Sequence, residues 1–289
     1  MKKLLILSGK GGTGKTTTTA SFIRFSQAQV FADCDVDAPN LHLVSHVEGN
    51  PAVSDYYGSE KAWIDPQKCL GCGICADACR FHAIHETDGV YQADEYACEG
   101  CGVCTAVCPY GAASLKEDKA GSLFLYDGNP VFSSAKLKMG RGNSGKLVSA
   151  VKSAMTEAAP PAELAIIDGS PGIGCPVISS ISGVDLVLIV TEPSLSGLHD
   201  LKRIVETASI FRAKTAVCVN KYDLSPEKTA EIEAYCQEEE IPFLGRVPYD
   251  PSASRAINEG LPLSEIDCPA RDALYEVYRK TMSLLDIQP

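Results

Sequence analysis

The chain reads as an α/β protein: a mostly parallel sheet with helices on both faces, interrupted by a small cysteine-rich α+β segment. Three observations lead there. Short apolar runs suited to buried strands alternate with helical stretches along most of the 289 residues. A glycine-rich turn, Gly9 to Thr16, separates the first apolar run from the first helix. Eight of the 13 cysteines lie between positions 69 and 108, in two runs of the same spacing. The domain boundaries that follow are 1–60 with 120–289 for the larger domain, and 61–119 for the insert.

Leu4–Leu7 is a short buried strand, and Gly9-Lys10-Gly11-Gly12-Thr13-Gly14-Lys15-Thr16-Thr17 follows it. Gly9 to Thr16 matches G-x-x-x-x-G-K-[ST], the phosphate-binding P-loop, between a strand and a helix. Its glycines let successive backbone N–H groups turn toward phosphates, and the next helix adds its positive end. Lys15 would reach the β- and γ-phosphates, and the Thr16 hydroxyl would bind Mg²⁺. Val30-Phe31-Ala32-Asp33 is a second strand whose end releases Asp33, Asp35 and Asp37 into the crevice beside the loop. Leu164–Asp168 is a buried strand ending in a carboxylate, followed by Gly169-Ser170-Pro171-Gly172. Further strands are expected at Leu186–Thr191, Ala216–Asn220 and Phe243–Val247, with helices near 197–211, 226–239 and 270–285. Gly140, Gly142 and Gly145 have formal dinucleotide spacing, but no clear strand precedes them. They read as a flexible loop ahead of a helix at Lys146–Met155.

The cysteine runs are Cys69, Cys72, Cys75, Cys79 and Cys98, Cys101, Cys104, Cys108, each C-x2-C-x2-C-x3-C, with Pro109 after the second. This is the bacterial ferredoxin pattern, in which each run gives three thiolates to one [4Fe–4S] cluster and its fourth to the other. The pattern assigns Cys69, Cys72, Cys75 and Cys108 to one cluster, and Cys98, Cys101, Cys104 and Cys79 to the second. Arg80 stands where proline usually follows the fourth cysteine.

Lys10 adds a second lysine early in the phosphate loop. The stretch K-G-G-T-G-K-T-T resembles the deviant P-loop of the MinD/ParA/Mrp superfamily of ATPases, which includes the nitrogenase iron protein. The likeness covers nearly the whole chain outside the cysteine segment. It is strongest for MinD-type ATPases carrying an inserted ferredoxin domain. It implies ATP or ADP with Mg²⁺ as ligands and a nucleotide-sandwich homodimer, or a heterodimer with a paralogous ATPase. In such a dimer Lys10 reaches the partner's phosphates. It further implies that Asp35 orients the attacking water and that Asp33 and Asp37 sit near the metal. Asp168 would hold a Mg²⁺ water, Gly172 would sense the γ-phosphate, and Asn220 would contact the adenine.

Other readings are narrower. A net charge of −11 argues against general nucleic-acid binding. The apolar run after Met1 is too short for a signal peptide, no segment has the length of a membrane span, and the last helix lacks a basic face. A cytoplasmic protein is therefore expected. Lys136, Lys138, Arg141, Lys146 and Lys152 form a basic stretch that could dock an anionic partner or simply be solvated. Cys175 has the offset from Asp168 of a cluster ligand in the nitrogenase iron protein, but a second ligand is missing, so a small buried thiol is expected. Cys34, Cys218, Cys236 and Cys268 read as structural, and the five histidines show no ligand spacing. The function expected is an ATPase whose nucleotide state controls electron delivery, or metal-cofactor assembly, on a client protein. The alternative is a carrier handing clusters to apoproteins.

Overall fold

The computed structural model describes residues 1–142 and 144–288. Its elements begin with β1 (Lys2–Leu7), α1 (Lys15–Ser26), β2 (Val30–Asp33), β3 (Ala52–Tyr57), β4 (Lys61–Ile64) and α2 (Ile74–Asp77). Then come β5 (Ile84–Thr87), β6 (Val90–Ala93), α3 (Val103–Val107), β7 (Ala113–Lys116), β8 (Lys119–Tyr126), β9 (Val131–Leu137) and α4 (Ser144–Ala158). The chain continues through β10 (Leu164–Asp168), α5 (Cys175–Ile181), β11 (Leu186–Thr191), α6 (Leu195–Ile210) and β12 (Lys214–Asn220). It closes with α7 (Pro226–Glu238), β13 (Phe243–Val247), α8 (Pro251–Asn258) and α9 (Pro269–Leu284). Two compact units result: Met1–Val53 with Leu123–Lys136 and Gly145–Pro289, and Ser54–Ser122 with Leu137–Ser144.

In the first unit the sheet runs β13-β12-β11-β1-β10-β2-β9, every neighbouring pair parallel. Strands covered on both faces need apolar side chains on both, which is why Leu4 to Leu7, Leu164 to Ile167 and Leu186 to Val190 are unbroken apolar runs, all buried. β10 lies on one side of β1 and β11 on the other, so the strand order reverses there and opens a crevice at the carboxyl end of β1. The expected mostly parallel α/β sheet is therefore present. β9 was not anticipated. Buried Ser133 and Ser134 interrupt its apolar pattern, yet Val131, Phe132 and Ala135 are buried and the strand pairs with β2. A strand does therefore precede the Gly140–Gly145 stretch. The chain passes between the two units within β3 and within β8.

The apolar face of α9 is used inside this unit. Leu274, Val277, Tyr278 and Met282 are buried, with Tyr278 edge-on to Phe22 of α1 at 5.3 Å and Tyr275 edge-on to Phe25 at 5.0 Å. Among the described residues no helix is long and apolar enough to cross a membrane.

The second unit is built twice. β4 pairs with β7 and β5 with β6, both antiparallel, and the two halves correspond at an offset of 29 residues, Cys69 to Cys98. The Asp65 N–H donates to Ala112 O at 2.8 Å, and that of its counterpart Asp94 to Ala83 O at 2.7 Å. One core cluster joins Ile64, Ile84, Ala112 and the cysteines Cys75 and Cys104, with Cys69, Cys79 and Cys108 packed against it. So few aliphatic side chains are a thin core for a unit this size.

Phe22 is fully buried between α1 and α9. Phe22→Ala should cost about 3–5 kcal/mol in chemical denaturation of the nucleotide-free protein. A cost below about 1 kcal/mol would show that this contact does not hold α9 in place.

Candidate functional site

The first site lies where β1 passes into α1. Gly14 caps α1 with φ 92° and no side-chain cap, so the first N–H groups of the helix are left for an anion. Two close approaches demand glycine. A Cβ on Gly9 would lie 2.2 Å from Asp200 Cβ, and one on Gly14 would lie 2.3 Å from Asn220 Nδ2.

Groups from the ends of β11 and β12 hold the loop's carbonyls. Asn220 Nδ2 donates to Thr13 O at 2.7 Å, and Lys221 Nζ donates to Gly12 O at 2.9 Å. Lys221 also pairs with Glu192 at 3.0 Å, and the other oxygen of Glu192 meets Lys10 Nζ at 3.3 Å. Ser8 Oγ donates to Lys10 O at 2.9 Å. With the carbonyls tied back, the loop's N–H groups are free to meet phosphate. Glu192 and Lys221 are site residues that spacing alone could not find; the only local signal is their place at strand ends beside the loop.

Asp168 is the electrostatic centre. Fully buried at the end of β10, it pairs with Lys15 Nζ at 2.8 Å and accepts from Thr16 Oγ1 at 2.8 Å and Thr19 Oγ1 at 2.7 Å. Burial works against the Lys15 ammonium, but Asp168, with Asp33 and Asp35, more than offsets it and raises the lysine's pKa. Asp33 lies beside Asp168 in the sheet register. Its oxygens accept from the N–H groups of Asp35 (3.0 Å), Asn40 (2.9 Å) and Leu41 (3.0 Å).

A crevice of about 700 Å³ opens from the loop toward Tyr249 and Asp250, with Thr16, Thr17, Asp35, Asp37 and Asn220 on its walls. Asp35 is partly buried, which raises its pKa, although Lys15 opposes the shift. Through the hydrogen bonds it accepts, Asp33 folds the turn that carries Asp35. The Asn220 amide is engaged from both ends, donating to Thr13 and accepting from the Lys221 N–H at 3.0 Å, so it braces the loop. Gly172, at φ 97°, donates its N–H to Ser8 O at 3.0 Å, and Ser170 Oγ donates to Cys34 O at 2.5 Å. The segment after β10 is thereby tied to both the phosphate loop and the end of β2.

The second unit carries the other candidate site. Cys69, Cys72, Cys75 and Cys108 line one small pocket, three from the first run and one from the second. Cys98 and Cys104 are buried, Cys101 is exposed, and Cys79 packs against the shared core. Backbone N–H groups point at four sulfurs: Tyr91 to Cys69 (3.4 Å), Ala112 to Cys108 (3.3 Å), Ala62 to Cys98 (3.3 Å) and Ala83 to Cys79 (3.4 Å). Desolvation is outweighed at Cys108 by the surrounding N–H groups, which draw its pKa down, whereas burial pushes Cys75 and Cys104 up. Among the described residues, no three His, Cys, Asp or Glu are set to hold a single metal ion. A [4Fe–4S] cluster is gripped at its four iron corners, so its thiolates stand farther apart than the ligands of one ion. A thiolate donor set with N–H groups aimed at the sulfurs fits such a cluster.

Three expectations change. Cys175 is exposed at the start of α5 rather than buried. Arg141 belongs to the second unit's interior polar network, paired with Glu95 at 2.6 Å and Asp118 at 3.0 Å with its side chain almost fully covered. Lys152 donates to the carbonyls of Ser179 and Ser180 at the end of α5, at 3.0 and 2.7 Å. Neither of these two is free to dock an anion.

A phosphate loop at the switch point of a parallel sheet defines a P-loop nucleotide-binding protein. The chain belongs to the CobQ/CobB/MinD/ParA nucleotide-binding family, whose model matches residues 4–263. It is 31% identical over 285 residues to an uncharacterized protein of Methanocaldococcus jannaschii, covering 96% of this chain and 95% of that one. It is 25% identical over 301 residues to the cytosolic Fe-S cluster assembly factor Nubp1 homolog of Drosophila grimshawi, covering 97% and 81%. Among solved structures, the cell division ATPase MinD of Pyrococcus furiosus superimposes with a TM-score of 0.58 at 20% identity, covering 98% and 99%, and shares the fold.

Two outcomes test this geometry. Gly9→Ala should abolish nucleotide binding in calorimetric titration while leaving the circular dichroism spectrum unchanged; wild-type affinity would mean the loop does not need this close approach. Burial and the neighbouring Asp168 push Asp33 up from 3.8 to about 7. The proton therefore favours the folded state, and this group's contribution is full below about pH 4 and lost as pH rises through about 7. The urea midpoint of the nucleotide-free protein should depend less on pH across that window in Asp33→Asn than in the wild type.

Proposed function

We propose that the chain is a Mg²⁺-dependent ATPase whose nucleotide state governs an inserted ferredoxin-like module holding two [4Fe–4S] clusters. Its output would be electron transfer to a client protein, or metal-cofactor assembly on it. The observation that carries this reading is the meeting of Cys69, Cys72 and Cys75 with Cys108 in one pocket, in a chain that also carries a complete phosphate loop.

On the nucleotide side, the residues present supply a route. Phosphates enter the loop and draw Lys15 from Asp168. Thr16 and Asp168 are the residues that would hold Mg²⁺, which neutralises phosphate charge. Asp35, partly buried and facing the crevice, orients the water that attacks the γ-phosphate. The Gly172 N–H exchanges Ser8 O for the γ-phosphate, and Ser170 carries that movement to Cys34 O. Lys10 leaves Glu192 to meet the phosphates bound by a second copy, closing a nucleotide-sandwich dimer. On the cluster side, the eight cysteines hold two one-electron carriers.

A second reading is supported by the likeness to the cytosolic Fe-S cluster assembly factor: a carrier that gives whole clusters to apoproteins. Incubation with an apo-ferredoxin separates the two, since iron retained by the chain favours electron transfer and iron passed on favours the carrier.

Lys15→Ala should reduce ATP turnover by about 10²–10³-fold in a phosphate-release assay; wild-type turnover would remove the ATPase assignment. Because the second unit has so thin a core, removing iron should unfold it alone. Limited proteolysis after chelation should then cut within residues 54–122 and leave the nucleotide unit intact. Equal resistance with and without iron would argue against clusters as its structural support.

A further inference from the structure

Within the cluster-binding reading above, on which this step rests, we infer that the two cages are unequal. The cage of Cys98, Cys101, Cys104 and Cys79 has the higher reduction potential, raised by Lys61 on its own side and set apart by Glu86 and Asp88 on the other. The repeat at an offset of 29 provides an internal control, because each residue around one cage has a counterpart around the other.

Hydrogen bonding to sulfur does not distinguish them. Tyr91 to Cys69 and Ala62 to Cys98 are equivalent, as are Ala112 to Cys108 and Ala83 to Cys79. Cys72 and Cys101 are equivalent and both exposed. Charge does distinguish them. At the outer end of the β4–β7 pair Lys61 stands opposite Lys116, whereas the counterparts on the β5–β6 hairpin are Val90 opposite Thr87. Lys61 is partly buried and its Nζ donates to the carbonyl of Cys98 itself. Lys116 is held at the same end by the Trp63 ring, 3.3 Å from its centroid. Glu60 and Glu117 flank these lysines, so that end of the pair is balanced. The other end carries Glu86 and Asp88 with no basic neighbour in the hairpin. Around the rims, Arg80 and Glu99 replace Pro109 and Leu70; they are exposed and of opposite sign, and so offset one another.

Cluster potentials rise with nearby positive charge and fall with negative charge. A partly buried ammonium is screened less than exposed groups. Lys61 therefore favours the added electron on the Cys98 side, while Glu86 and Asp88 disfavour it on the Cys69 side. In a half-reduced chain the Cys69-side cage is the oxidised one and the Cys98-side cage the reduced one. The exchange moves one electron and makes or breaks no bond.

The test is a potentiometric titration of the full chain, purified without oxygen, reduced with dithionite and followed by electron paramagnetic resonance. Iron and acid-labile sulfide are measured on the same sample. The expected result is two one-electron waves with at least a tenfold preference for one cage, about 59 mV apart. Lys61→Val should lower the upper wave alone, Lys61→Arg should leave it in place, and the surface change Glu86→Gln should raise the lower wave alone. A single wave with about eight irons per chain overturns the inference and leaves the cluster reading standing. So does a Lys61→Val protein in which the upper wave does not move. Fewer than eight irons, two clusters of four, overturns the cluster reading and this inference with it.

Discussion

A carboxylate at the end of β10 with no exposed surface would cost several kcal/mol if left unpaired, and the nucleotide unit is arranged to meet the needs of Asp168. Lys15, Thr16 and Thr19 all come from the first turns of α1, and all reach this one side chain. That convergence fixes the helix against the sheet and so fixes the loop that precedes it. Asp33, beside Asp168 in the sheet, accepts from three backbone N–H groups, and burial favours its protonated form. The same crowding of acids around one lysine gives the resting site its latent charge. Bound phosphate and Mg²⁺ would redistribute it.

The loop is supported from outside by a second, partly exposed charge group. Glu192 joins Lys10 and Lys221, and Lys221 together with Asn220 takes up the loop's carbonyls. One carboxylate thus holds both the lysine that braces the loop and the lysine that the family resemblance assigns to a partner's phosphates. Any use of Lys10 elsewhere must first break its pair with Glu192. The second unit solves a different problem by duplication. The core cluster around Ile64 and Ile84 packs cysteine sulfur where other domains pack leucine.

Much of this was legible in the sequence where spacing alone carries the chemistry. Gly9 to Thr16 could be read because a phosphate nest requires glycines and a lysine at fixed separations along one turn. The spacing of the cysteine runs likewise anticipates that Cys108 shares a pocket with Cys69, Cys72 and Cys75. The buried strands at Leu4–Leu7, Leu164–Asp168 and Leu186–Thr191 announced themselves as unbroken apolar runs. β9 did not, because two of its buried residues are serines. A sequence shows that a polar group such as Arg141 or Lys152 exists but not which neighbour consumes it. Cys175 was read as buried for want of a second cysteine, although it is exposed at the start of α5.

By itself the sequence determined the class of sheet, the position of the phosphate loop and the periodic placement of the cysteines. These depend on local periodicity and on contacts within a few residues. Tertiary structure decided the partners. The pairs Asp168 with Lys15 and Glu192 with Lys10 and Lys221 join residues far apart along the chain. Which of many acids meets which of many bases is settled by strand order and burial, and no local pattern encodes either.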